Sequence, residues 1–410
     1  MTDRVPPGFG RDAQGRLLVA GRAADAWVED AGDTPLFVYD LALVSARVAA
    51  LRAAMPAGVH LHYAIKANPM PALLAHMAGV VDGLDVASSG EMQLALSSGM
   101  AAGHISFAGP GKRDRELEAA ISAGVMINVE SAGELDRAGT IAARLGRRAR
   151  VALRVNPPFS LKGSGMRMGG AASAFGVDAD EAPRVLAAMA ASCFDFCGLH
   201  IFAGSQNLSE NAILEAQRET VALAADLAGF APCPPPLLNL GGGFGVPYFP
   251  GDKALDLSVL GKGLADIIGA RPANLQFTRF AIELGRWLVA EAGVYLCRIV
   301  DRKMSGGETF LVTDGGLHHQ LAATGNFGTV IRRNYPLVNA SREGTERETV
   351  SVVGCLCTPL DRLGDKVALA PSQVGDLIAV FMAGAYGRTA SPQAFLHHPP
   401  PLEILVHPSV

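Results

Sequence analysis

The alternation of short β-rich segments with helical segments is the feature of this sequence that most constrains its fold. Eight segments are rich in β-branched and aromatic residues, at 60–67, 83–87, 105–108, 126–129, 150–156, 195–202, 237–240 and 276–283. Helical hydrophobic patterns lie between them, at 71–77, 91–96, 115–123, 134–145, 181–191, 211–227 and 257–268. Eight strands that alternate with helices predict a parallel sheet closed into a (β/α)8 barrel. An open, doubly wound parallel sheet is the alternative.

The sequence after about residue 293 has a different pattern. Short apolar segments at 309–312, 350–354 and 376–381 are separated by Gly, Pro, Asn and Asp rather than by long helical periods. This pattern predicts a C-terminal antiparallel β domain. The segments 17–19 and 37–39 also resemble strands, which indicates that the N-terminal stretch joins that β domain.

We therefore predict three parts along the chain. Residues 1–35 form an N-terminal segment that joins the β domain, residues 36–289 form the barrel, and residues 290–410 form the β domain. The Gly- and Met-rich segment 163–170 is predicted to be a long loop that leaves the barrel, where functional loops are common.

Composition excludes several classes of protein. The chain has 410 residues and a formal net charge of −4, so it has no basic surplus for nucleic acid. Every apolar segment is interrupted before the roughly eighteen residues of a membrane span, and the N-terminus lacks the apolar core of a signal peptide. The six cysteines include no Cys-x-x-Cys pair and no zinc-like histidine spacing, and Cys355-x-Cys357 is the one cluster kept in reserve. We expect a cytoplasmic protein with reduced thiols and without a metal site.

Lys66 is the first candidate for chemistry. It ends the first β-rich segment of the barrel, just before a helical pattern that begins with proline. Burial disfavours an ammonium group and lowers its pKa, so a lysine at the mouth of a buried strand suits Schiff-base formation. An exposed lysine at a strand end is the structural alternative.

A glycine-rich segment at 239–245 follows the seventh predicted strand. Consecutive glycines let backbone N–H groups converge on an anion, and barrels commonly bind phosphate after strands seven and eight. Tight turns use the same residues, so the position on the seventh strand is what favours a phosphate site.

The eighth predicted strand ends with Glu283 and is followed by Gly285 and Arg286. Arg286 can bind the same phosphate, and Glu283 can hold a proton on a ring nitrogen; an internal Glu–Arg ion pair is the alternative. A lysine for a Schiff base, a phosphate site and an acid for a pyridine nitrogen match the requirements of pyridoxal phosphate.

Several motifs follow one another in order along the chain. They include Tyr-Ala-Ile-Lys-Ala-Asn at 63–68, Asp-Val-Ala-Ser-Ser-Gly-Glu at 85–91, His-Ile-Phe-Ala-Gly-Ser-Gln at 200–206, Gly-Gly-Gly-Phe at 241–244, Glu-Leu-Gly-Arg at 283–286, Cys357 and Gly-Ala-Tyr-Gly at 384–387. This order resembles the fold-type III pyridoxal-phosphate decarboxylases, the family of diaminopimelate, ornithine and arginine decarboxylases. The resemblance extends from about residue 35 to about residue 391.

The resemblance implies an alanine-racemase-like barrel with a C-terminal β domain, and a head-to-tail homodimer whose active sites lie at the subunit interface. Lys66 would carry pyridoxal phosphate as a Schiff base, with Asp85 nearby, and Glu283 would pair with the pyridinium nitrogen. Cys357 would enter from the partner subunit to deliver a proton. The remaining cofactor-binding residues would be Ser205, Gly241, Gly242, Gly243, Gly285, Arg286 and Tyr386.

Some positions depart from the family pattern. The residue that stacks on the cofactor ring is usually a histidine, but Phe202 occupies that position here, and His200 lies two residues earlier as a nearby site residue. Thr358 replaces the acidic residue that meets a distal amine of the substrate, while Asp361 keeps the downstream acid of the motif. These departures argue against a simple diamine precursor as substrate.

The segments 163–170, 175–176 and 314–336 resemble a side branch of the family. That branch includes exosortase-associated decarboxylases and relatives that act on amino acids tethered to carrier proteins. The candidates for recognition of an unusual substrate tail or carrier arm are His318, His319, Arg332, Arg333, Tyr335, Thr358 and Asp361. Solvated surface charge is the alternative for at least one of the arginines.

We therefore predict a decarboxylase that removes the α-carboxylate of a carrier-linked, acidic or amide-tailed amino acid. Diaminopimelate decarboxylase of lysine biosynthesis is one alternative. An amino-acid racemase, which keeps the carboxylate, is another and is distinguished by the absence of carbon dioxide release. A pyridoxal-phosphate carrier protein is a further alternative, against which the long β domain with Cys357 and Tyr386 argues. A catalytically inactive homologue is another, against which the intact Lys66, Arg286 and Cys357 argue.

Overall fold

The computed structural model describes residues 5–167, 169–325 and 333–408. Within those residues, the strands are β1 (Gly10–Arg11), β2 (Leu17–Val19), β3 (Arg22–Ala23), β4 (Leu36–Asp40), β5 (His60–Ala64), β6 (Gly83–Val86), β7 (Ile105–Phe107), β8 (Met126–Val129), β9 (Ala149–Asn156), β10 (Met166–Arg167), β11 (Val177–Asp178), β12 (Phe194–Ile201), β13 (Gly204–Ser205), β14 (Leu237–Asn239), β15 (Arg279–Leu284), β16 (Gly293–Ser305), β17 (Glu308–Thr313), β18 (Leu337–Asn339), β19 (Glu348–Val353), β20 (Arg362–Leu369), β21 (Leu377–Val380) and β22 (Leu402–Val406).

The α-helices of the same residues are α1 (Ala24–Ala31), α2 (Leu41–Ala54), α3 (Pro71–Ala78), α4 (Ser89–Ser97), α5 (Asp114–Ala123), α6 (Ala132–Leu145), α7 (Ala182–Ala188), α8 (Glu210–Ala228), α9 (Leu257–Gly269) and α10 (Arg286–Val289). No helix in this described part of the chain is long and apolar enough to cross a membrane.

The chain divides into two compact units. One unit contains Val48–Val246 and Ala254–Gly285 and is called the barrel unit below. The other contains the residues up to Arg47, Pro247–Lys253 and the residues from Arg286 onward, and is called the second unit.

The barrel unit is built on eight parallel strands that close on themselves. Their order is β5-β6-β7-β8-β9-β12-β14-β15, and β15 pairs with β5 in a register that sets Leu284 opposite Tyr63. The strands are rich in apolar residues and mostly buried, as expected where helices cover a parallel sheet. The closed barrel confirms the predicted fold, and the open-sheet alternative is wrong.

Serine side chains begin three of the barrel helices directly after their strands. Ser88 accepts a hydrogen bond from the backbone N–H of Glu91, and Ser131 does the same for Glu134. Ser209 caps α8 in the same way. Each cap satisfies an N–H group that the first helical turn would leave unpaired, so the chain turns sharply at the carboxyl ends of the strands.

Three barrel segments differ from the prediction. The first predicted strand ends early at Ala64, and a 3-10 turn follows at Ile65–Ala67. The last strand begins late, at Arg279. The predicted loop at 163–170 contains β10, which pairs antiparallel with β13 and so fixes this excursion to the segment that carries Ser205.

The second unit is organised around β16, a strand of 13 residues. β16 pairs antiparallel with β4, β21 and β17. The predicted N-terminal strands are present as β2 and β4, and β4 joins this sheet through β16. The sheet is mostly antiparallel, as predicted, but β17 pairs parallel with β19 and β22 pairs parallel with β4.

Candidate active site

The carboxyl ends of the barrel strands carry the candidate catalytic side chains. Asp85, His200 and Glu283 are each the penultimate residue of a strand, in β6, β12 and β15 respectively. The carboxyl ends of parallel strands in a closed barrel meet at one face. The barrel therefore gathers these three side chains at the face where its loops begin.

Lys66 lies in the 3-10 turn that follows β5. Its neighbours Ile65 and Ala67 are fully buried and anchor the turn, while the Lys66 side chain is exposed. Of the two interpretations of this lysine, the exposed position at a strand end is the one observed, because the strand ends two residues earlier. The positive charge of Lys66 acts on the carboxylate of Glu283, so the two groups are electrostatically coupled.

Glu283 and His200 form a buried pair. His200 Nε2 lies 3.1 Å from Glu283 Oε2, although neither ring nitrogen has a well-aligned hydrogen bond within the described residues. Burial alone would raise the pKa of Glu283, but the adjacent imidazole and the positive charges of Lys66 and Arg154 lower that pKa to about 2. Glu283 is therefore a carboxylate at neutral pH and can hold a proton on a ring nitrogen.

Asp85 belongs to a second buried network, which includes His62. Asp85 Oδ1 lies 3.3 Å from His62 Nδ1 and accepts a hydrogen bond from the hydroxyl of Ser106. Burial would lower the pKa of His62, but the charge and contact of Asp85 raise it. Asp85 Oδ2 is buried and has no partner among the described residues, so one carboxylate oxygen remains available to a ligand.

His62 was not predicted as a site residue from the sequence. This residue pairs in register with Glu283 across β5 and β15, and it also contacts Asp85. His62 thus lies between the two networks. The available signal was the period of two in β5, which places His62 and Ala64 on the same face of the strand.

The turn at Gly241, Gly242 and Gly243 has no room for side chains. Gly241 and Gly243 have positive φ angles of 66° and 78°. A Cβ atom on Gly242 would lie 2.0 Å from the carbonyl oxygen of Glu283, and one on Gly243 would lie 2.9 Å from that of Gly204. Asn239 Oδ1 accepts a hydrogen bond from Gly241 N at 2.9 Å and fixes the start of the turn. Such a turn exposes backbone dipoles that suit a phosphate group.

Three further predicted residues lie on segments close to this turn or to Lys66. Phe202 is half-buried, and its ring centroid is 6.5 Å from that of His200. Ser205 is half-buried in β13. A Cβ atom on Gly285 would lie 2.9 Å from that of Ala67, so the absence of a side chain lets the end of β15 approach the turn that carries Lys66.

Arg286 belongs to the second unit, where three tyrosines surround it. Arg286 Nη1 donates a hydrogen bond to the hydroxyl of Tyr248 at 2.7 Å, and the guanidinium carbon lies 4.6 Å from the ring centroid of Tyr386. The rings of Tyr248 and Tyr335 are 4.8 Å apart. Burial would lower the pKa of Arg286, but these tyrosines raise it, so the side chain stays cationic. Tyr248 was not predicted from the sequence. The feature that could have identified it is its closeness along the chain to the glycine turn.

Cys357 and Thr358 lie on the connection between β19 and β20. The Cys357 side chain is exposed. Asp361, at the end of this connection, is buried, and its carboxylate accepts hydrogen bonds from the backbone N–H groups of Leu317 (2.6 Å) and Leu356 (2.8 Å). Burial raises the pKa of Asp361 despite these bonds. The carboxylate ties the Cys357 connection to the segment that follows β17.

The predicted substrate-binding residues fall into two groups. Tyr335 stacks near Tyr248, and the guanidinium carbon of Arg333 lies 5.1 Å from the ring of Phe249, so both are on the Arg286 side of the unit. His318 and His319 are fully buried and belong to a separate cluster. Arg332 lies outside the described residues.

The barrel residues fit pyridoxal phosphate. An amine, a buried carboxylate with a low pKa and a glycine cradle that a Cβ atom would fill match the cofactor's aldehyde, ring nitrogen and phosphate. His200 Nδ1, the buried ring nitrogen that faces away from Glu283, has no hydrogen-bond partner among the described residues and also indicates a missing polar partner at this place.

Comparison with known proteins agrees with this assignment. Residues 41–290 match the family model described as the pyridoxal binding domain of pyridoxal-dependent decarboxylases. L-glutamyl-[BtrI acyl-carrier protein] decarboxylase of Niallia circulans is 38% identical, over 91% of this chain and 89% of its own length. Diaminopimelate decarboxylase of Aquifex aeolicus is 31% identical, over 91% of this chain and 86% of its own length.

A solved structure gives the same result. Diaminopimelate decarboxylase from M. jannaschii in complex with L-lysine has a TM-score of 0.87 at 26% identity, covering 98% of this chain and 93% of that chain. These matches favour a decarboxylase over the racemase alternative. The chain belongs to the pyridoxal-dependent decarboxylases and is a pyridoxal-phosphate-dependent carboxy-lyase of amino acids.

Proposed function

We propose that this decarboxylase acts on an amino acid whose side-chain end is joined to a carrier protein through an acyl group. The observation that carries the proposal is Thr358, a neutral residue at the position where the family usually has an acid for a distal ammonium. A buried ammonium group without a counter-charge is costly, so a neutral acyl tail suits this position better. The similarity to a glutamyl-carrier-protein decarboxylase supports the same substrate class.

The cofactor-binding roles are part of this proposal. Lys66 holds the cofactor covalently through its ε-amine, and Phe202 stacks on the ring while Asp85 and His200 lie beside it. The phosphate-binding residues are Ser205, Gly241, Gly242, Gly243, Gly285, Arg286 and Tyr386. When bound, pyridoxal phosphate supplies the electron sink that stabilises the negative charge left at Cα after carbon dioxide departs.

Glu283 and Cys357 then have distinct tasks. The Glu283 carboxylate keeps the ring nitrogen protonated, because its low pKa leaves it negative at neutral pH. Cys357 returns a proton to Cα, and the exposed position of its thiol suits a donor that completes another subunit's site. A homodimer with shared sites is therefore part of the proposal. So is a cytoplasmic location, since all six cysteines, each within the described residues, are free thiols.

The remaining candidates would recognise the tail and the carrier arm. Tyr335 and Arg333 lie on the same side of the second unit as Arg286 and are the best supported of them. Arg333 is exposed and can meet a carrier surface. His318, His319, Arg332 and Asp361 remain predictions for this role.

The test compares carbon dioxide release from an L-glutamyl carrier-protein thioester, free glutamate, diaminopimelate, ornithine and lysine. We expect the thioester to have the highest kcat/KM. Ornithine or lysine at about 10⁴ M⁻¹s⁻¹ or above would contradict the proposal. Diaminopimelate as the best substrate would instead establish the alternative, diaminopimelate decarboxylase.

A single substitution sharpens the test. Thr358→Asp restores a negative charge, so we expect it to raise the kcat/KM for ornithine relative to the thioester. Thr358→Asn has nearly the same shape without the charge and is the matched control. Equal effects of the two variants would remove Thr358 from substrate selection.

A further inference from the structure

A cluster of metal-ligand side chains in the second unit takes no part in the proposed cofactor binding or proton transfer. His318 follows β17, Cys355 follows β19 and His398 precedes β22. One ring nitrogen from each histidine and the sulfur of Cys355 all lie within 4.8 Å of one another. The three residues come from distant parts of the chain, which is why no ligand spacing in the sequence indicated this site.

His318 is the residue that distinguishes this cluster from ordinary core packing. Its side chain is 0% exposed, and neither ring nitrogen has a hydrogen-bond partner among the described residues. A buried polar group without a partner costs about 1–3 kcal/mol, so native structures rarely keep one without a reason.

The neighbouring His319, unlike His318, has a contact for each of its ring nitrogens. Its ring lies 3.7 Å from that of His318, and its Nδ1 and Nε2 lie 3.1 Å and 3.0 Å from the hydroxyl of Tyr295 and the carbonyl oxygen of Pro399. Both of its nitrogens are therefore engaged. In His318, by contrast, both ring nitrogens are free to bind a ligand.

Cys355 and His398 complete the set. Cys355 Sγ lies 3.8 Å from Nδ1 and 3.9 Å from Nε2 of His398, and both side chains are half-buried. Two ligands at Zn–S and Zn–N bond lengths of about 2.3 and 2.1 Å are separated by about 3.6 Å at a tetrahedral angle. The sulfur and the ring are thus almost at the separation that one ion requires.

We propose that His318, Cys355 and His398 bind a divalent cation of the zinc class. One thiolate and two imidazoles form a donor set that zinc prefers, and the fourth position is left for water or another ligand. Binding replaces the Cys355 thiol proton with the ion, so one proton is released to solvent for each ion bound.

The electrostatics agree with this geometry. Burial and the neighbouring histidines lower the pKa of His318 to about 3, so its imidazole is neutral and can donate a lone pair. Burial raises the pKa of the Cys355 thiol to about 11, and a bound cation would reverse that shift. The ion would also join three separate segments, one of which carries Cys357 two residues after Cys355.

The experiment measures metal binding by the cofactor-loaded enzyme after removal of adventitious metal. We expect one Zn²⁺ or Co²⁺ per chain, and a thiolate–cobalt charge-transfer band in the difference spectrum of the Co²⁺ form. Cys355→Ser should remove the band and weaken binding by more than about 100-fold, since loss of a direct ligand exceeds the effect of losing its supporting hydrogen bond. His318→Asn should weaken binding by a similar factor.

Cys357→Ser is the matched control, because it changes the other thiol of the same connection and should keep both the band and the affinity. In the unsubstituted enzyme, Zn²⁺ should protect Cys355 from alkylation, a measurement that does not depend on the folding of any variant. Absence of stoichiometric metal binding, a band retained by Cys355→Ser, or an unprotected Cys355 would each overturn the proposal.

Discussion

The barrel unit and the second unit place their candidate residues in different ways. In the barrel, Asp85, His200 and Glu283 are penultimate residues of their strands, so regular secondary structure positions them. In the second unit, Arg286 contacts Tyr248 and Tyr386, which come from separate irregular segments. A residue at the end of a parallel strand can therefore be identified from local pattern, whereas residues joined by packing alone need the folded structure.

The largest effect is expected for a substitution in the barrel unit. Lys66→Ala should lower kcat by at least about 10³-fold, because it removes the covalent attachment and a proton-transfer group. Borohydride reduction followed by peptide mapping should locate the cofactor on Lys66. Lys162→Ala, whose side chain is exposed and paired with Glu215 at 2.8 Å, is the control. A label on Lys112 or Lys162 would show that strand-end position does not identify the reactive lysine.

The next prediction concerns the buried charge in the barrel. Glu283→Gln should lower kcat by about 10²–10³-fold, since the neutral amide cannot keep the ring nitrogen protonated. Glu283→Asp keeps the charge and should retain more activity. Equal losses in the two variants would point to packing rather than charge.

The low pKa of the Glu283 carboxylate also predicts how the free energy of unfolding depends on pH. The pKa of Glu283 is about 2 in the folded chain and near 4.5 when unfolded, so its stabilisation is complete above about pH 4.5 and is lost as pH falls towards 2. The free energy of unfolding of Glu283→Gln should therefore depend less on pH in this window. Urea unfolding at several pH values measures the difference, and identical slopes would contradict it.

A smaller effect is expected for the arginine of the second unit. Arg286→Ala should raise the cofactor dissociation constant about 10- to 100-fold, because one charge-assisted contact is worth about 1.5–3 kcal/mol. Arg279→Ala, an exposed arginine of β15, is the control. Unchanged cofactor affinity would leave phosphate binding to the barrel alone.

The smallest expected effect is a recovery of activity in mixed dimers. It tests whether Cys357 of one subunit completes the site that contains Lys66 of the other. A mixture of Lys66→Ala and Cys357→Ala chains should recover about a quarter of the normal activity, because half of the dimers are hybrids and each hybrid has one intact site. Subunit exchange must be demonstrated by mass. Exchange without recovery would mean that each site is built from one chain.

The sequence predicted the barrel well because its signals are local. The eight β-rich segments report directly on strands, and the errors are at ends such as Ala64 and Arg279 and in the predicted loop at 163–170, which contains β10. The second unit was predicted less completely. β16, the strand that organises it, was missed because its second half is exposed and polar and does not show an apolar pattern.

The residues of the candidate site also differ in how well the sequence predicted them. Lys66, Glu283 and the glycine turn could be proposed from position alone, and the low pKa of Glu283 required the structure because it depends on His200, which is distant in sequence. Tyr248 and the cluster of His318, Cys355 and His398 depend on long-range packing. No spacing along the chain encodes those contacts.

The carboxylate of Asp361 has a consequence for how this enzyme could change over generations. It accepts hydrogen bonds from Leu317 and Leu356, and a Cβ atom on either Gly316 or Gly354 would lie about 2.1–2.2 Å from it. A substitution at any of these positions disturbs both the segment proposed to recognise the substrate and the connection that carries the proton donor. Substrate range and proton return should therefore be inherited together, and a lineage that altered one would need compensating substitutions in the other.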